Sequence, residues 1–183
     1  FGGSTRYSAA LFHYDYKDQQ VQEVVGPVAF LRNGGKATID GFELEAETIL
    51  NDIFSINYSI GLLDASYDDL VLSGNDLSGN RLPFAPETTA QLGFNWSVLS
   101  FADGGVTATG NVAYASKTWF SPYNADNGNG NLKEDPTTRI NLALAYEKGP
   151  WTGRIWGKNI FEEEAYSYGL DLRSSFGYDF LIP

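Results

Sequence analysis

Carboxylates dominate the residues that could do chemistry in this chain. Glu43, Glu45 and Glu47 alternate within one run, and Glu162, Glu163 and Glu164 stand side by side. Paired carboxylates can divide general acid and base work when a partner shifts the proton affinity of one of them. Neither group has a partner base in view, and adjacent like charges flanked by Asn159 and Tyr166 read as a solvated loop. Residues 124–134 (NADNGNGNLKE) offer the oxygens calcium prefers. They miss the EF-hand spacing, because Gly128 stands where a ligand is needed and Asn129 holds the sixth place. That segment reads as an external loop. His13 is the single histidine and there is no cysteine, so multi-histidine metal sites, histidine dyads, thiolate zinc, disulfides and cysteine nucleophiles are all excluded. No phosphate-binding Gly-Lys-Ser loop or Gly-x-Ser-x-Gly elbow occurs. Asn57-Tyr58-Ser59 and Asn95-Trp96-Ser97 match glycosylation sequons, but both fall within strands. The chain reads as a non-enzyme without a cofactor.

Composition narrows the class further. The 183 residues carry 12 Lys plus Arg against 23 Asp plus Glu, a formal net charge of −11. Nucleic-acid surfaces need clustered positive charge, so a nucleic-acid partner is excluded. A helical membrane span needs roughly 20 consecutive apolar residues, and none is present. The chain begins at Phe1 without a basic segment or an apolar signal core, which suits a processed or internal piece.

The elements that must position these residues are strands. Apolar and polar residues alternate over runs of about ten residues separated by Gly, Asn, Asp and Pro clusters, and that period of two is the strand signal. Ser8 to Lys17 sets Ala10, Phe12, Tyr14 and Tyr16 against Leu11, His13, Asp15 and Lys17. Gly41 to Leu50 sets Phe42, Leu44, Ala46 and Leu50 against the three glutamates. Phe54, Ile56, Tyr58, Ile60 and Leu62 form a third apolar face; Ala90, Leu92, Phe94, Trp96 and Val98 form a fourth. Val106, Ala108, Val112 and Tyr114 give a fifth. Ile140, Leu142, Leu144 and Tyr146 oppose Arg139 in a sixth, and Trp151 with Ile155 opposes Arg154 and Trp156 in a seventh. Register tests the pattern, because a slip of one residue inverts every side chain. Phe42 and Leu44 share a face with Leu62 and Ile60 only if Leu44 pairs with Ile60, which predicts a three-residue turn at Asn51-Asp52-Ile53.

Short connections (Asn51–Ile53, Leu99–Gly105, Glu147–Pro150) alternate with long ones (Asp18–Lys36, Asp64–Pro86, Ser116–Pro136). Alternation alone suits a soluble sandwich, such as a carbohydrate-binding module, as well as a membrane barrel. The short-long rhythm, strands near the 9–11 residues of a tilted span, and aromatic residues at strand ends favour the barrel. Tyr16, Tyr114, Trp119, Phe120 and Tyr123 would mark the outer rim, and Trp96, Phe101, Tyr146 and Trp151 the inner one. His13, Asp15, Glu43, Glu45, Glu47, Arg139 and Arg154 would face a wide lumen. A complete small barrel and a passive porin remain as rivals.

Several motifs then resemble the C-terminal barrel of TonB-dependent outer-membrane receptors. In NGGKATIDGFELEAE (33–47), Gly41, Glu43 and Glu45 match a Gly-x-Glu-x-Glu strand following an Asn-Gly-rich loop. In DLSGNRLPFAPETTAQLGFNW (76–96), Gly79, Pro83 and Pro86 match a loop leading into the next strand. WTGRIWGKNIFEEEAY (151–166) resembles the penultimate strand and its exit at Asn159, Ile160 and Phe161, and YKDQQVQ (16–22) resembles an upstream strand end. The family's Pro-Arg motif and final aromatic-terminated strand are not matched, and neither are its plug and TonB-contacting segment.

The resemblance implies an all-β chain, residues 1–183 forming about seven antiparallel up-and-down strands of a large transmembrane β-barrel, roughly a third of the about 22 in plugged transporters. It implies a Gram-negative outer membrane, lipid around the wall, and a TonB complex acting through a plug. It implies import of a scarce ligand, a ferric siderophore first, with cobalamin or a glycan as other options. Tyr67, Trp119, Phe120 and Tyr123, in the long connections, are the expected stacking surfaces.

Overall fold

Period-two alternation becomes a hydrogen-bonded meander in the computed structural model, which describes residues 3–25, 28–124, 132–171, 177 and 179–183. Seven long strands form one sheet: β1 (Ser4–Val25), β2 (Val28–Asn51), β3 (Phe54–Asp69), β6 (Thr88–Phe101), β7 (Gly104–Ala115), β10 (Thr137–Lys148) and β11 (Trp151–Gly157). Their order in the sheet, β1-β2-β3-β6-β7-β10-β11, follows the chain, and every neighbouring pair is antiparallel. The remaining strands pair two by two in the long connections and beyond β11: β4 (Val71–Leu72) with β5 (Asn75–Asp76), β8 (Thr118–Trp119) with β9 (Lys133–Glu134), and β12 (Tyr168–Asp171) with β13 (Asp179–Ile182).

The expected register is observed. Phe42 pairs with Leu62 and Leu44 with Ile60. The turn differs in form: Asn51 pairs with Phe54, leaving Asp52 and Ile53 in the turn, and a bulge between Ile49 and Asn51 supplies the odd residue. Asn51 Oδ1 accepts a hydrogen bond from Ile53 N at 3.0 Å, closing the turn locally. The other two short turns are tighter than expected. Phe101 pairs with Gly104 and Lys148 with Trp151, so Ala102-Asp103 and Gly149-Pro150 make two-residue turns. Gly149 takes φ +53, a conformation costly for other residues, and its N–H donates to Asp103 O at 2.8 Å, stitching the adjacent turns together.

Pairing fixes which side chains share a face. One face is apolar across four strands, β3, β6, β7 and β10, in the row Tyr58, Leu92, Val112, Ile140 and the next row Ile56, Phe94, Gly110, Leu142. Trp96, Phe101, Tyr146 and Trp151 lie on this face at the short-turn end, with the Phe101 and Tyr146 rings 6.0 Å apart. The other face carries Glu43, Glu45 and Glu47 opposite Gly61, Ser59 and Asn57, then Gln91, Arg139 and Arg154 farther along the sheet.

The first strand corrects the sequence reading. Ala10 pairs with Glu43 and Phe12 with Gly41, whereas Leu11 pairs with Phe42 and His13 with Asp40. Ala10, Phe12, Tyr14 and Tyr16 therefore share the glutamate face, and His13 and Asp15 lie on the apolar face. The cause is that Tyr7, Ala9 and Leu11 make the opposite side of β1 equally apolar, so its own alternation does not set parity. Pairing with β2 sets it. The Phe12 ring then covers Gly41, where a Cβ would collide with it.

The first long connection is also corrected. Expected as a loop over Asp18–Lys36, it is instead a continuation of the β1–β2 ladder, with Gln20 paired to Asn33 and Val25 to Val28. Its alternating, valine-rich sequence prefers an extended ladder to a structureless loop of that length. Register shifts between Tyr16 and Gln20 mark where the ladder leaves the wall.

Candidate ligand-binding site

The connection after β3 folds back onto the glutamate side of the wall rather than standing free. β6 pairs with β3 only as far as Leu62. Above that point the returning segment takes its place: Leu82 N donates to Ala65 O at 3.0 Å, Tyr67 N to Asn80 O at 2.8 Å, and Leu63 N to Glu87 O at 2.8 Å. Arg81 pins this return, reaching Glu87 at 2.7 Å, Asp64 at 3.2 Å and the Leu63 carbonyl at 2.9 Å. Leu70, Leu72, Leu77 and Leu82 then bury against Val21, Ala37, Ala65 and Tyr67, forming the main buried core of the described residues. This core explains why so long a connection is ordered: it has its own apolar stripe.

The second excursion, between β7 and β10, locks onto this first one, between β3 and β6, where Phe84 N donates to Trp119 O at 2.8 Å. The third, beyond β11, locks onto the second where Tyr166 N donates to Glu134 Oε2 at 2.7 Å. Together they enclose a cavity of about 570 Å³ beside the end of β1. Tyr67, Phe84, Phe120, Tyr123 and Tyr168 supply its rings, and Gln19, Gln20 and Gln22 supply amides. Its described lining carries no ionisable group other than tyrosine. The size lies within the range of small-molecule sites. Gln19 Oε1 is shielded from solvent without a protein partner.

The structure sorts the four expected stacking residues. Tyr67, Phe120 and Tyr123 meet in this cavity, but Tyr67 is only 3% exposed and Phe120 7%. Their rings are the packed backing of the site. Trp119 is not part of the lining; it is buried, paired with Lys133, and its ring lies 4.4 Å from Lys117 Nζ. The rings that face outward are Phe84, 52% exposed, and Tyr168, 40% exposed, which sequence reasoning missed. They stack with centroids 5.9 Å apart and planes within 9°, and Phe84 also lies 5.6 Å from Phe120. Phe84 holds φ +58, a strained conformation for an aromatic residue, fixed between Pro83 and the hydrogen bond to Trp119. A phenylalanine enclosed by Pro83 and Pro86 was the available signal.

Of the residues expected at the lumen, Glu43, Glu45, Glu47, Arg139 and Arg154 share one face, with Arg6 bridging to Glu47 at 2.9 Å. His13 and Asp15 do not join them; His13 Nδ1 lies 2.8 Å from Asp40 and Nε2 3.3 Å from Asp15 on the apolar side. Tyr16 likewise leaves the outer rim for the glutamate face, and Trp119 and Phe120 leave it for the cap. Glu162 to Glu164 follow a turn that Asn159 organises, donating to Glu163 O at 2.9 Å and accepting from Glu163 N at 3.0 Å. The calcium-like stretch lies, over 125–131, outside the described residues.

Burial pushes the Tyr67 hydroxyl up to about 12 from its ordinary 10. About 9–11 residues complete a tilted crossing, so counting from Phe54 places Tyr67 beyond the spanning part of β3. The neutral phenol is favoured in the folded cap, and opening lets it ionise at its ordinary value. Cap stability should therefore hold below pH 10 and fall between 10 and 12, by up to about 3 kcal/mol. Ultraviolet titration should show a delayed tyrosine phase that Tyr67→Phe removes.

A seven-stranded antiparallel meander, apolar on one face and polar on the other, with tight turns at one end and folded excursions at the other, is the wall of a membrane β-barrel. The family "TonB dependent receptor-like, beta-barrel" matches residues 1–160, and the chain belongs to it. The ferrioxamine receptor of Yersinia enterocolitica is 28% identical over 156 residues, 85% of this chain and 20% of that protein. The ferric yersiniabactin uptake receptor FyuA of Yersinia pestis superposes with a TM-score of 0.77 at 20% identity, covering 97% of this chain and 25% of that one. The siderophore receptor PiuA of Acinetobacter baumannii gives 0.71 at 18% identity, covering 97% and 24%. The chain thus spans about a fifth to a quarter of these relatives. The family consists of transporters, not enzymes, in the Gram-negative outer membrane. That overturns the soluble binding module as a reading of this chain.

Proposed function

We propose that this chain forms barrel wall and outer cap of a TonB-coupled importer of ferric siderophores. Its apolar face meets lipid, its glutamate face lines the lumen, and the aromatic cavity contacts the arriving complex. TonB acts through a plug domain, as elsewhere in the family. The cavity carries the reading: outward rings of Phe84 and Tyr168 over a packed backing, with Tyr123 and glutamine amides at the side. The matched relatives are receptors for ferrioxamine and ferric yersiniabactin by name, which supports an iron complex over cobalamin or a glycan. A described lining without Lys or Arg, in a chain of net charge −11, suits a complex of low negative charge. Desolvating a trianionic tris-catecholate against such a wall is expensive, whereas a ferric trihydroxamate brings a neutral core.

Uptake of radio-iron by cells expressing the parent protein tests this. Ferrioxamine is expected to be imported in preference to a ferric tris-catecholate, and Phe84→Ala should reduce uptake about tenfold, as loss of a stacked aromatic contact implies. Surface abundance should be unchanged, because Phe84 is half exposed. Uptake of every ferric complex unchanged by the substitution, or no uptake of any, overturns the proposal.

A further inference from the structure

The Phe120–Tyr123 side of the cavity is held over the first excursion by two asparagines. Asn80 Nδ2 donates to Pro122 O at 2.9 Å and to Tyr123 O at 3.1 Å. Asn124 answers from the other side: its Oδ1 accepts from Arg81 N at 2.6 Å, and its Nδ2 donates to Arg81 O at 3.0 Å and Ser121 O at 3.1 Å. One side-chain amide thus pairs with both backbone groups of Arg81, as a strand partner would. Arg81 is itself fixed to Asp64 on β3 and to Glu87 just before β6. Asn124 adopts φ +47, which asparagine tolerates better than most residues. Partners 42 or 43 residues apart are joined with every bond running between a side chain and backbone, and neither asparagine is among the residues lining the cavity.

We infer that Asn80 and Asn124 are positioning residues of the ligand site: they clasp the second excursion to the first and so hold Tyr123 and Phe120 across from Tyr67 and Phe84. The inference rests on the cavity being the ligand site, yet the clasp itself can be read without ligand. Asn124→Asp is the informative variant. It is isosteric and keeps the acceptor for Arg81 N, but it turns a carboxylate oxygen toward the carbonyls of Arg81 and Ser121. Protonation restores a donor, so its defect is reversible by pH in a way that a packing defect is not.

The test uses the parent protein with spin labels at Val71→Cys and Asp135→Cys, exposed positions on the two excursions, and ferrioxamine as probe. The unsubstituted clasp should give a narrow distance distribution with or without ferrioxamine. Asn124→Asp should broaden it at neutral pH and weaken ferrioxamine binding about tenfold, with barrel melting unchanged. Both should recover as pH falls through the carboxyl range. A narrow distribution in Asn124→Asp, or a broadening that acid does not reverse, overturns the clasp. If the unsubstituted protein binds no ferrioxamine, the ligand reading fails in that respect while the distances still decide the clasp. Asn80→Asp, facing the Pro122 and Tyr123 carbonyls, should repeat the pattern.

Discussion

Leu142→Arg should abolish stable assembly of the barrel, while Gln91→Arg should be tolerated. The two positions lie three residues apart along the strands and on opposite faces of the sheet. Leu142 pairs with Gly110 and Gly157 in the middle apolar row, and its side chain is 44% exposed on that face. A bilayer supplies the missing contact. Arginine at the midplane of a lipid face costs about 2–4 kcal/mol, falling toward the interfaces. The neighbouring row on that face holds Val112 and Ile140, which offer the guanidinium no counter-charge. Gln91 pairs with Ser59 and Ala113, on the face of Glu45 and Arg139, where water or a plug solvates a charge. Folding into bilayers of the parent protein, followed by gel mobility and protease protection, separates the cases. Equal tolerance of both arginines would mean that the apolar face is covered by protein and not by lipid.

Much of this wall was legible from alternation alone, and the reason is physical. A strand with one face in lipid and the other in a wet lumen must alternate, so β3, β6 and β10 declare their faces residue by residue. Pairing then transmits parity: the Leu44–Ile60 register followed from demanding one apolar face across two strands. Parity failed where both faces were half apolar, in β1, and His13 and Asp15 went to the wrong side with it. The cavity was half legible. Aromatic residues in the long connections were visible as a group, but a ring's type does not say whether it packs or contacts ligand. Tyr67 and Phe120 pack; Phe84 and Tyr168 face outward. The missed signal was the leucine series at 70, 72, 77 and 82, which implies that the excursion has its own core and needs backing rings.

That core makes the second large effect predictable. Leu72 is 2% exposed, and it joins Val21, Ala37 and Ala65 on the wall to the β4–β5 hairpin. Leu72→Ala removes that joint and leaves a void, at about 2–5 kcal/mol for a buried leucine. The loss falls on the excursion's own core. The return segment's backbone bonds lie at its edge, and the charged contacts of Arg81 to Asp64 and Glu87 involve exposed carboxylates, worth little in water. The excursion should therefore open locally while the wall stays closed, because the seven-stranded ladder does not depend on Leu72. Hydrogen exchange resolves this by residue. The amides of Tyr67, Gly79 and Leu82, bonded at 2.8, 2.7 and 3.0 Å, should lose protection by about 30- to 5,000-fold. Amides of β6, β7 and β10 should keep theirs, and ligand uptake should fall because Tyr67 no longer backs the cavity. Protection lost equally across the sheet would instead make cap and wall one cooperative unit, so that a single leucine in a connecting segment governs the stability of both.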